Sequence, residues 1–289
     1  MPEMEFIRPD TLDDVLILLA ETGYKKRLIA GGTDIVPGIR QGLARFKHIR
    51  GLIDIHHLTE LNFIRADKDY LRIGAAVTFS RLAWDEQVRK MASLLADAAI
   101  KIGSVQIRNR ATIAGNFVNN APCADSVPPL LVYNARVKLV SRKTQRELLL
   151  EQFLKGPYKT VLKADELVSE IIIPLDTQNY HGRFYKLGRR RGVAISRISL
   201  ALLMQISGNV SSDVRIACGA VTPVGIRLRQ LEKSFVNVKL STDRLKILTQ
   251  DLAEQILKVS GLRWSTPYKL PVLQQIFYQI MCDLTRTGL

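Results

Sequence analysis

The spacing of apolar and polar positions changes repeatedly along the chain, and each change marks an element. "TLDDVLILLAETG" carries apolar residues at helical spacing, with Thr11 in N-cap position, Asp13 and Asp14 in the first turn and Gly23 as a stop, so it predicts a first helix. "KRLIAGG" predicts a short buried strand running into a glycine turn. "VPGIRQGLARFKHIRGLIDIHHL" then reads as a short helix and a strand ending near Ile55. "NFIRADKDYLRIGAAVTFSRLAWD" reads as two strands across a polar turn, with a helix after Thr78 and Ser80. "MASLLADAAIKIG" is an amphipathic helix stopped by Gly103, and "QIRNRATIAGN" leads into a glycine-bearing loop. "VPPLLVYNARVKLVS" has a helical first half and a strand from about Arg136 to Val140, and "ELVSEIIIPL" is a strand that Pro174 ends. Helix and strand alternate, which places the chain in the α/β or α+β class.

Beyond Pro174, where a linker is expected, the pattern turns to strands. "GRFYKLGRR", "SRISLALLMQIS" and "VRIACGAVTP" are alternating or continuously apolar, separated by "RRRGVAI" and "GNVSSD" turns. "STDRLKILTQDLAEQILKVS", capped by Ser241 or Thr242, and "LPVLQQIFYQIMCDLTR" are helices. A three-stranded sheet packed by helices is the natural second domain, and 289 residues suffice for two domains with separate cores.

Composition narrows the class. With 47% hydrophobic and 24% charged residues the chain is an ordinary globular sequence, not a disordered one. No run of about 18 apolar residues occurs, and "MPEMEFIRPD" lacks a basic segment followed by an apolar one, so neither a membrane span nor a secretory signal is expected and the location is read as cytoplasmic. Cys123, Cys218 and Cys282 are too few and too widely spaced for a disulfide framework, a zinc site or a thiolate-bound cluster. Any metal chemistry is therefore expected on another chain. His56 and His57 are adjacent, with side chains on opposite faces if the strand continues, and His48 and His181 are isolated, so no histidine pair for a metal is offered.

The net charge of +15 predicts attraction to something anionic: nucleic acid, a phosphate-bearing ligand, an acidic membrane or an acidic partner. The basic residues are scattered, the one dense run being "RRR" at 189 to 191, and no nucleic-acid motif accompanies them.

Two short stretches carry candidate chemistry. In "AGGTDIVPG", residues 30 to 38, Gly31 and Gly32 let the backbone turn and approach a ligand closely, while Thr33 adds a hydroxyl donor. That is the composition of a phosphate cradle, and equally of a strand-to-helix turn. It is neither G-x-G-x-x-G nor a P-loop. "ATIAGNFVNNAPCADSVPPLL", residues 111 to 131, repeats the ingredients with Thr112, Ala114, Gly115 and Asn116, then Asn119, Asn120, Ala121 and Pro122 before Asp125. A segment this poor in bulk and rich in donors leaves room for a flat polar ligand, and Asp125 can accept hydrogen bonds from ribose or ribityl hydroxyls. As structure alone, Asp125 and Asn116 would simply fix loops.

These stretches, with "LRIGAAVTFSRLA" (71 to 83), "GSVQIRNRATIAGNFVNNAPCADSVPPLL" (103 to 131), "ADELVSEIIIP" (164 to 174), "YKLGRRRGVAISRISLAL" (185 to 202) and "CGAVTPVGIRLRQLE" (218 to 232), occur in an order that resembles the FAD-binding medium subunit of molybdenum hydroxylases, the xanthine, nicotinate and carbon monoxide dehydrogenases. The resemblance implies an α+β fold: a two-lobed FAD-binding domain of the vanillyl-alcohol oxidase (PCMH) type over residues 1–176, with lobes split near 55–60. A smaller domain over 177–289 follows, with a three-stranded antiparallel sheet and a helical bundle, like the C-terminal domain of carbon monoxide dehydrogenase flavoprotein.

Carried over residue by residue, the resemblance places the FAD pyrophosphate against Ala30, Gly31, Gly32, Thr33 and Asp34 and against Thr112, Ala114, Gly115 and Asn116. It turns Asp125 to the flavin's sugar chain, sets Val168 and Lys186 beside the isoalloxazine ring and includes Ile102 in the cofactor set. One position departs from the family, whose second loop usually has paired glycines where this chain has Ala114 and Gly115. If that backbone needs positive φ, alanine costs about 1 kcal/mol.

The function implied is an electron-transfer flavoprotein subunit. A molybdenum cofactor on a large subunit would oxidise the substrate, [2Fe–2S] clusters on a small subunit would carry the electrons, and FAD here would pass them to NAD, oxygen or a quinone. The complex would be a heterotrimer or a dimer of heterotrimers, with no catalytic residue and no metal on this chain. A free-standing FAD-dependent oxidoreductase is the alternative, and a basic nucleic-acid-binding protein a remote one.

Overall fold

The computed structural model describes residues 3–22, 25–190 and 192–287. Gly23, the expected stop of the first helix, and Arg191 of the basic run lie outside the described residues.

The chain opens with β1 (Glu5–Ile7), α1 (Leu12–Thr22), β2 (Lys26–Ile29), α2 (Ile35–Arg40) and β3 (Gly51–Asp54). β3 lies between β1 and β2 and is parallel to both, with Ile53 fully buried. Thr11 donates to Asp14 and accepts from its N–H at 3.2 Å, closing the first turn of α1 as the sequence predicts.

A second lobe follows: β4 (Ile64–Ala66), β5 (Tyr70–Gly74), α3 (Phe79–Trp84), α4 (Glu86–Met91), α5 (Ser93–Lys101), α6 (Val105–Arg110), α7 (Ile113–Asn119), α8 (Val127–Val132), β6 (Arg136–Val140), β7 (Gln145–Leu149), α9 (Leu150–Phe153), the small hairpin of β8 (Leu154–Gly156) and β9 (Lys159–Thr160), and β10 (Leu167–Pro174). Its antiparallel sheet runs β4-β5-β10-β6-β7. The central β10 buries Leu167, Val168, Ile171, Ile172 and Ile173 on either side of Ser169 and Glu170, which explains its largely apolar composition. Here the structure differs from the expected layout. Asp85 accepts from the N–H groups of Gln87 and Val88 and starts a helix of its own, and Ala92 interrupts the helix expected from residue 91. The stretch read as a loop approach, 105–119, is two short helices.

The C-terminal part has three long antiparallel strands, β11 (His181–Leu187), β12 (Ile198–Ser207) and β13 (Val210–Gly219). Two-residue strands β14 (Ile226–Arg227) and β15 (Val238–Lys239) add to β13. α10 (Arg229–Lys233) precedes β15, and α11 (Thr242–Ser260) and α12 (Thr266–Thr287) complete the described chain. Ser241 is the cap of α11, its hydroxyl accepting from the Arg244 N–H at 3.2 Å.

β12 is apolar from Leu200 to Met204 because both its faces are covered. Ile198, Leu200, Leu202 and Met204 pack with Leu248, Leu252 and Phe277 of the helices, whereas Ala201 and Leu203 join the core of the second lobe. The C-terminal sheet is thereby held against the lobe that carries residues 111–131, and β11 delivers Lys186 to the junction.

Candidate functional site

A cleft of about 770 Å³ opens where the two lobes and the C-terminal sheet meet, toward the upper end of the ~300–1,000 Å³ usual for ligand pockets. Ala30, Gly31, Gly32, Thr33 and Asp34 line it from the first lobe. Ile102, Thr112, Gly115, Asn116 and Asp125 line it from the second, and Lys186 from β11. Of the residues the resemblance assigns to the cofactor, Ala114 and Val168 are not part of the lining but are buried in the core behind it, and Asn120, Ala121 and Pro122 of the second stretch do not line it either. Val168 stands opposite Leu139 in the β10–β6 ladder.

The first loop is built for close approach. A Cβ at Gly31 would lie 2.1 Å from the Arg110 carbonyl oxygen and 2.8 Å from the Ala111 Cα, so only glycine lets the loop pass against the α6–α7 junction. Gly32 follows in the left-handed region, with φ +75°. Among the described residues the N–H groups from Gly31 to Asp34 have no protein acceptor, and the Asp34 side chain makes no cap bond to α2. Successive N–H groups left without a protein acceptor at the cavity wall suit an anionic oxygen.

The second stretch uses its donors differently. The Ile113 N–H donates to the Val77 carbonyl at 3.0 Å and the Ala114 N–H to the Ala75 carbonyl at 3.3 Å, while the Gly115 N–H is taken by the Thr112 hydroxyl at 3.2 Å. The start of α7 is thus a fastened cap and leaves the first loop as the open cradle. Ala114 is inside α7 and not at positive φ, so the strain considered for alanine in place of the family's glycine does not arise. Asn116 faces the cavity with its carbonyl oxygen engaged by the Ser126 hydroxyl at 2.7 Å.

Asp125 and Lys186 meet across the junction, Nζ to Oδ2 at 2.7 Å, with 9% and 5% of the Lys186 and Asp125 side chains exposed. The Ser196 hydroxyl donates to the other carboxylate oxygen at 2.5 Å, and Lys186 also donates to the Lys101 carbonyl at 2.8 Å. Burial pushes the Asp125 carboxyl above its ordinary range, against the pull of Lys186 and of the Ser196 hydrogen bond. The pair fixes a carboxylate and an ammonium side by side on the cavity wall.

Sequence reasoning missed part of the lining. Cys123, with its thiol pushed up by burial, Tyr158 of the β8–β9 turn, Lys159 of β9, and Val193 to Ser196 all face the cavity. The "GP" dipeptide at 156–157 is a turn signal that could have drawn attention to the hairpin. The histidines stay apart from the site: His57 Nε2 is 2.9 Å from the Pro9 carbonyl oxygen, and among the described residues no three His, Cys, Asp or Glu side chains cluster as a metal site. Among them, too, no helix is long and apolar enough to cross a membrane.

This architecture has known relatives. Residues 2–176 match the family described as FAD binding domain in molybdopterin dehydrogenase, and residues 183–284 match the CO dehydrogenase flavoprotein C-terminal domain. The chain belongs to this family of flavoprotein subunits of molybdenum-containing oxidoreductases. The xanthine dehydrogenase FAD-binding subunit of Escherichia coli O157:H7 is 32% identical over 278 residues, covering 96% of this chain and 94% of that protein. The nicotinate dehydrogenase FAD-subunit of Eubacterium barkeri is 30% identical over 291 residues, covering 98% and 97%. Carbon monoxide dehydrogenase from Hydrogenophaga pseudoflava has a chain of the same fold, with TM-score 0.91 at 24% identity over 99% of this chain and 98% of that one. The fold is the one the resemblance implied.

Proposed function

We propose that this chain holds FAD in the cleft and is the electron-transfer subunit of a molybdenum-containing hydroxylase, taking electrons from [2Fe–2S] clusters of a small subunit and passing them to an external acceptor such as NAD, oxygen or a quinone. The substrate would be oxidised at a molybdenum cofactor on a large subunit, in a heterotrimer or a dimer of heterotrimers located in the cytoplasm. We place the division at 1–176 and 177–289, with the first part split into lobes near 55–60.

The carrying observation is the joining, in one cleft, of the unpaired N–H groups of Gly31 to Asp34 with the buried Asp125–Lys186 pair. The first would take the pyrophosphate oxygens of FAD, with Ala30 continuing the strand into the cradle and the faces of Thr112, Gly115 and Asn116 closing it. Asp125 would accept from a hydroxyl of the ribityl chain, and Lys186 would hold positive charge beside the isoalloxazine ring, with Ile102 as apolar wall. Ala114 and Val168 would support this wall from the core. When bound, FAD supplies a centre that accepts electrons and releases them again.

The absorption spectrum of the purified chain, followed by acid release and identification of the flavin, tests the reading. One FAD per chain is the expected result. A colourless protein that also refuses added FAD overturns it.

A further inference from the structure

We infer that Arg45 and Tyr158 form a stacked platform for the adenine of the cofactor and so make the cleft selective for FAD over FMN. This deepens the FAD reading above and rests on it.

Arg45 belongs to a single helical turn, Ala44–Phe46, in the first lobe, and Tyr158 to the β8–β9 turn of the second. The Arg45 guanidinium carbon lies 4.2 Å from the centre of the Tyr158 ring and 4.7 Å from that of Phe46. Both rings line the cleft. The guanidinium therefore joins the two lobes through a pair of aromatic faces, at a distance where cation–π attraction operates.

The turn that presents Tyr158 is held in an unfavourable backbone shape. Tyr158 has φ +59°, in the left-handed region that a bulky L-residue avoids. Its N–H donates to the Asn120 carbonyl at 2.9 Å, and the Asn120 amide donates to the Gly156 and Lys159 carbonyls at 2.7 and 2.9 Å. Asn120, itself left-handed at φ +47°, caps the end of α7, the helix whose other end carries Thr112 and Gly115. The ring is thus indexed to the cleft wall by hydrogen bonds. A glycine would satisfy the backbone without strain, so the tyrosine's position is explained by what its side chain meets. The Phe46 ring is similarly fixed against Gly38, where a Cβ would approach it to 2.2 Å.

The direction of the cofactor follows from the two polar anchors. With Asp125 and Lys186, at the junction with the C-terminal sheet, on the flavin half and the Gly31–Asp34 turn on the pyrophosphate, the adenosine half is left to the first lobe and the β8–β9 turn. Adenine is flat and apolar on its faces, and it stacks on tyrosine and on the guanidinium plane. FMN ends at its phosphate and has nothing to place there.

The test compares FAD and FMN titrated into the flavin-free full chain, followed by flavin fluorescence, for the wild type, Tyr158→Gly and Arg45→Met. Tyr158→Gly removes the ring while relieving the left-handed residue, and Arg45→Met keeps an unbranched stem without charge. Loss of a base–aromatic stack weakens FAD by roughly tenfold. FMN affinity is expected to stay unchanged, while the melting temperature falls only slightly in Arg45→Met, which gives up its cation–π contacts, and holds or rises in Tyr158→Gly. Equal weakening of both flavins, or no change in FAD, overturns the inference, as does a wild type that binds FMN as tightly as FAD. A wild type that takes neither flavin overturns the FAD reading itself.

Discussion

Lys186 and Asp125 are 61 positions apart in sequence, yet Lys186 Nζ and Asp125 Oδ2 stand 2.7 Å apart. One comes from a strand of the C-terminal sheet and the other from the turn before α8, so the pair both fastens the C-terminal part to the second lobe and sets the charge on the cleft wall. Two buried charges of opposite sign are tolerable only together, since each was taken from water at a cost of several kcal/mol.

Asp125→Asn is therefore expected to destabilise the chain by about 3 kcal/mol, because it leaves the ammonium buried without its counter-charge. Replacing both, in Asp125→Asn with Lys186→Met, should recover much of that loss. Urea denaturation of the three proteins measures this. A double variant no more stable than Asp125→Asn would show that the stranded ammonium of Lys186 is not what makes Asp125→Asn costly.

Ala114→Gly would restore the paired glycines usual in the resemblance. Because residue 114 is helical and buried, with its N–H on the Ala75 carbonyl, glycine is expected to lower stability by about 0.5–1 kcal/mol and to leave FAD affinity unchanged. A tightened FAD complex in the same titration would contradict this. Gly31→Ala is the contrast: its methyl would collide with the Arg110 carbonyl, so FAD binding should be lost.

The segment around Ala114 shows where local pattern and fold part company. "ATIAGNFVNN" has a glycine and three asparagines among ten residues, poor helix formers, and so it reads as a loop. Tertiary contacts override that preference: Thr112 caps α7, Ile113 and Phe117 are fully buried, and Phe117 meets Phe153 edge-on at 5.8 Å between ring centres. The strands β10 and β12 could be read because burial on both faces leaves them predominantly apolar, with Ile171 to Ile173 and Leu200 to Met204 as uninterrupted stretches. The β8–β9 hairpin could not, since β9 has two residues and shows no period. Its Tyr158 and the partnership of Asp125 with Lys186 are products of long-range packing that no local pattern announces.

Cys123 faces the cleft and Cys218 is fully buried, its thiol pushed up to about 12 by burial. Iodoacetamide is expected to label Cys123 slowly in the flavin-free chain and to leave Cys218 untouched. Bound FAD should cover Cys123, slowing its labelling by up to about 100-fold at an FAD concentration 100 times Kd. Mass spectrometry of the digested protein reads each site separately. Labelling of Cys123 at the same rate with and without bound FAD would place the flavin elsewhere.

Glu166, on the cleft wall, gives a pH dependence with a definite sign. Burial pushes its carboxyl up, but the Arg146 guanidinium, with Nε and Nη2 each 2.8 Å from a carboxylate oxygen, and the Lys163 N–H at 2.9 Å outweigh it. The net result is a folded-state value below the ordinary 4.5. A carboxyl whose folded value is depressed binds protons more readily in the unfolded chain, so its stabilisation is fully present above 4.5 and is lost as pH falls through the folded value. The stability advantage of the wild type over Glu166→Gln should accordingly be constant near neutral pH and shrink on acidification below 4.5. Urea denaturation of both proteins across that range checks it. An advantage that grows toward acid would mean that the unfavourable burial of the carboxylate outweighs its bonds to Arg146 and Lys163.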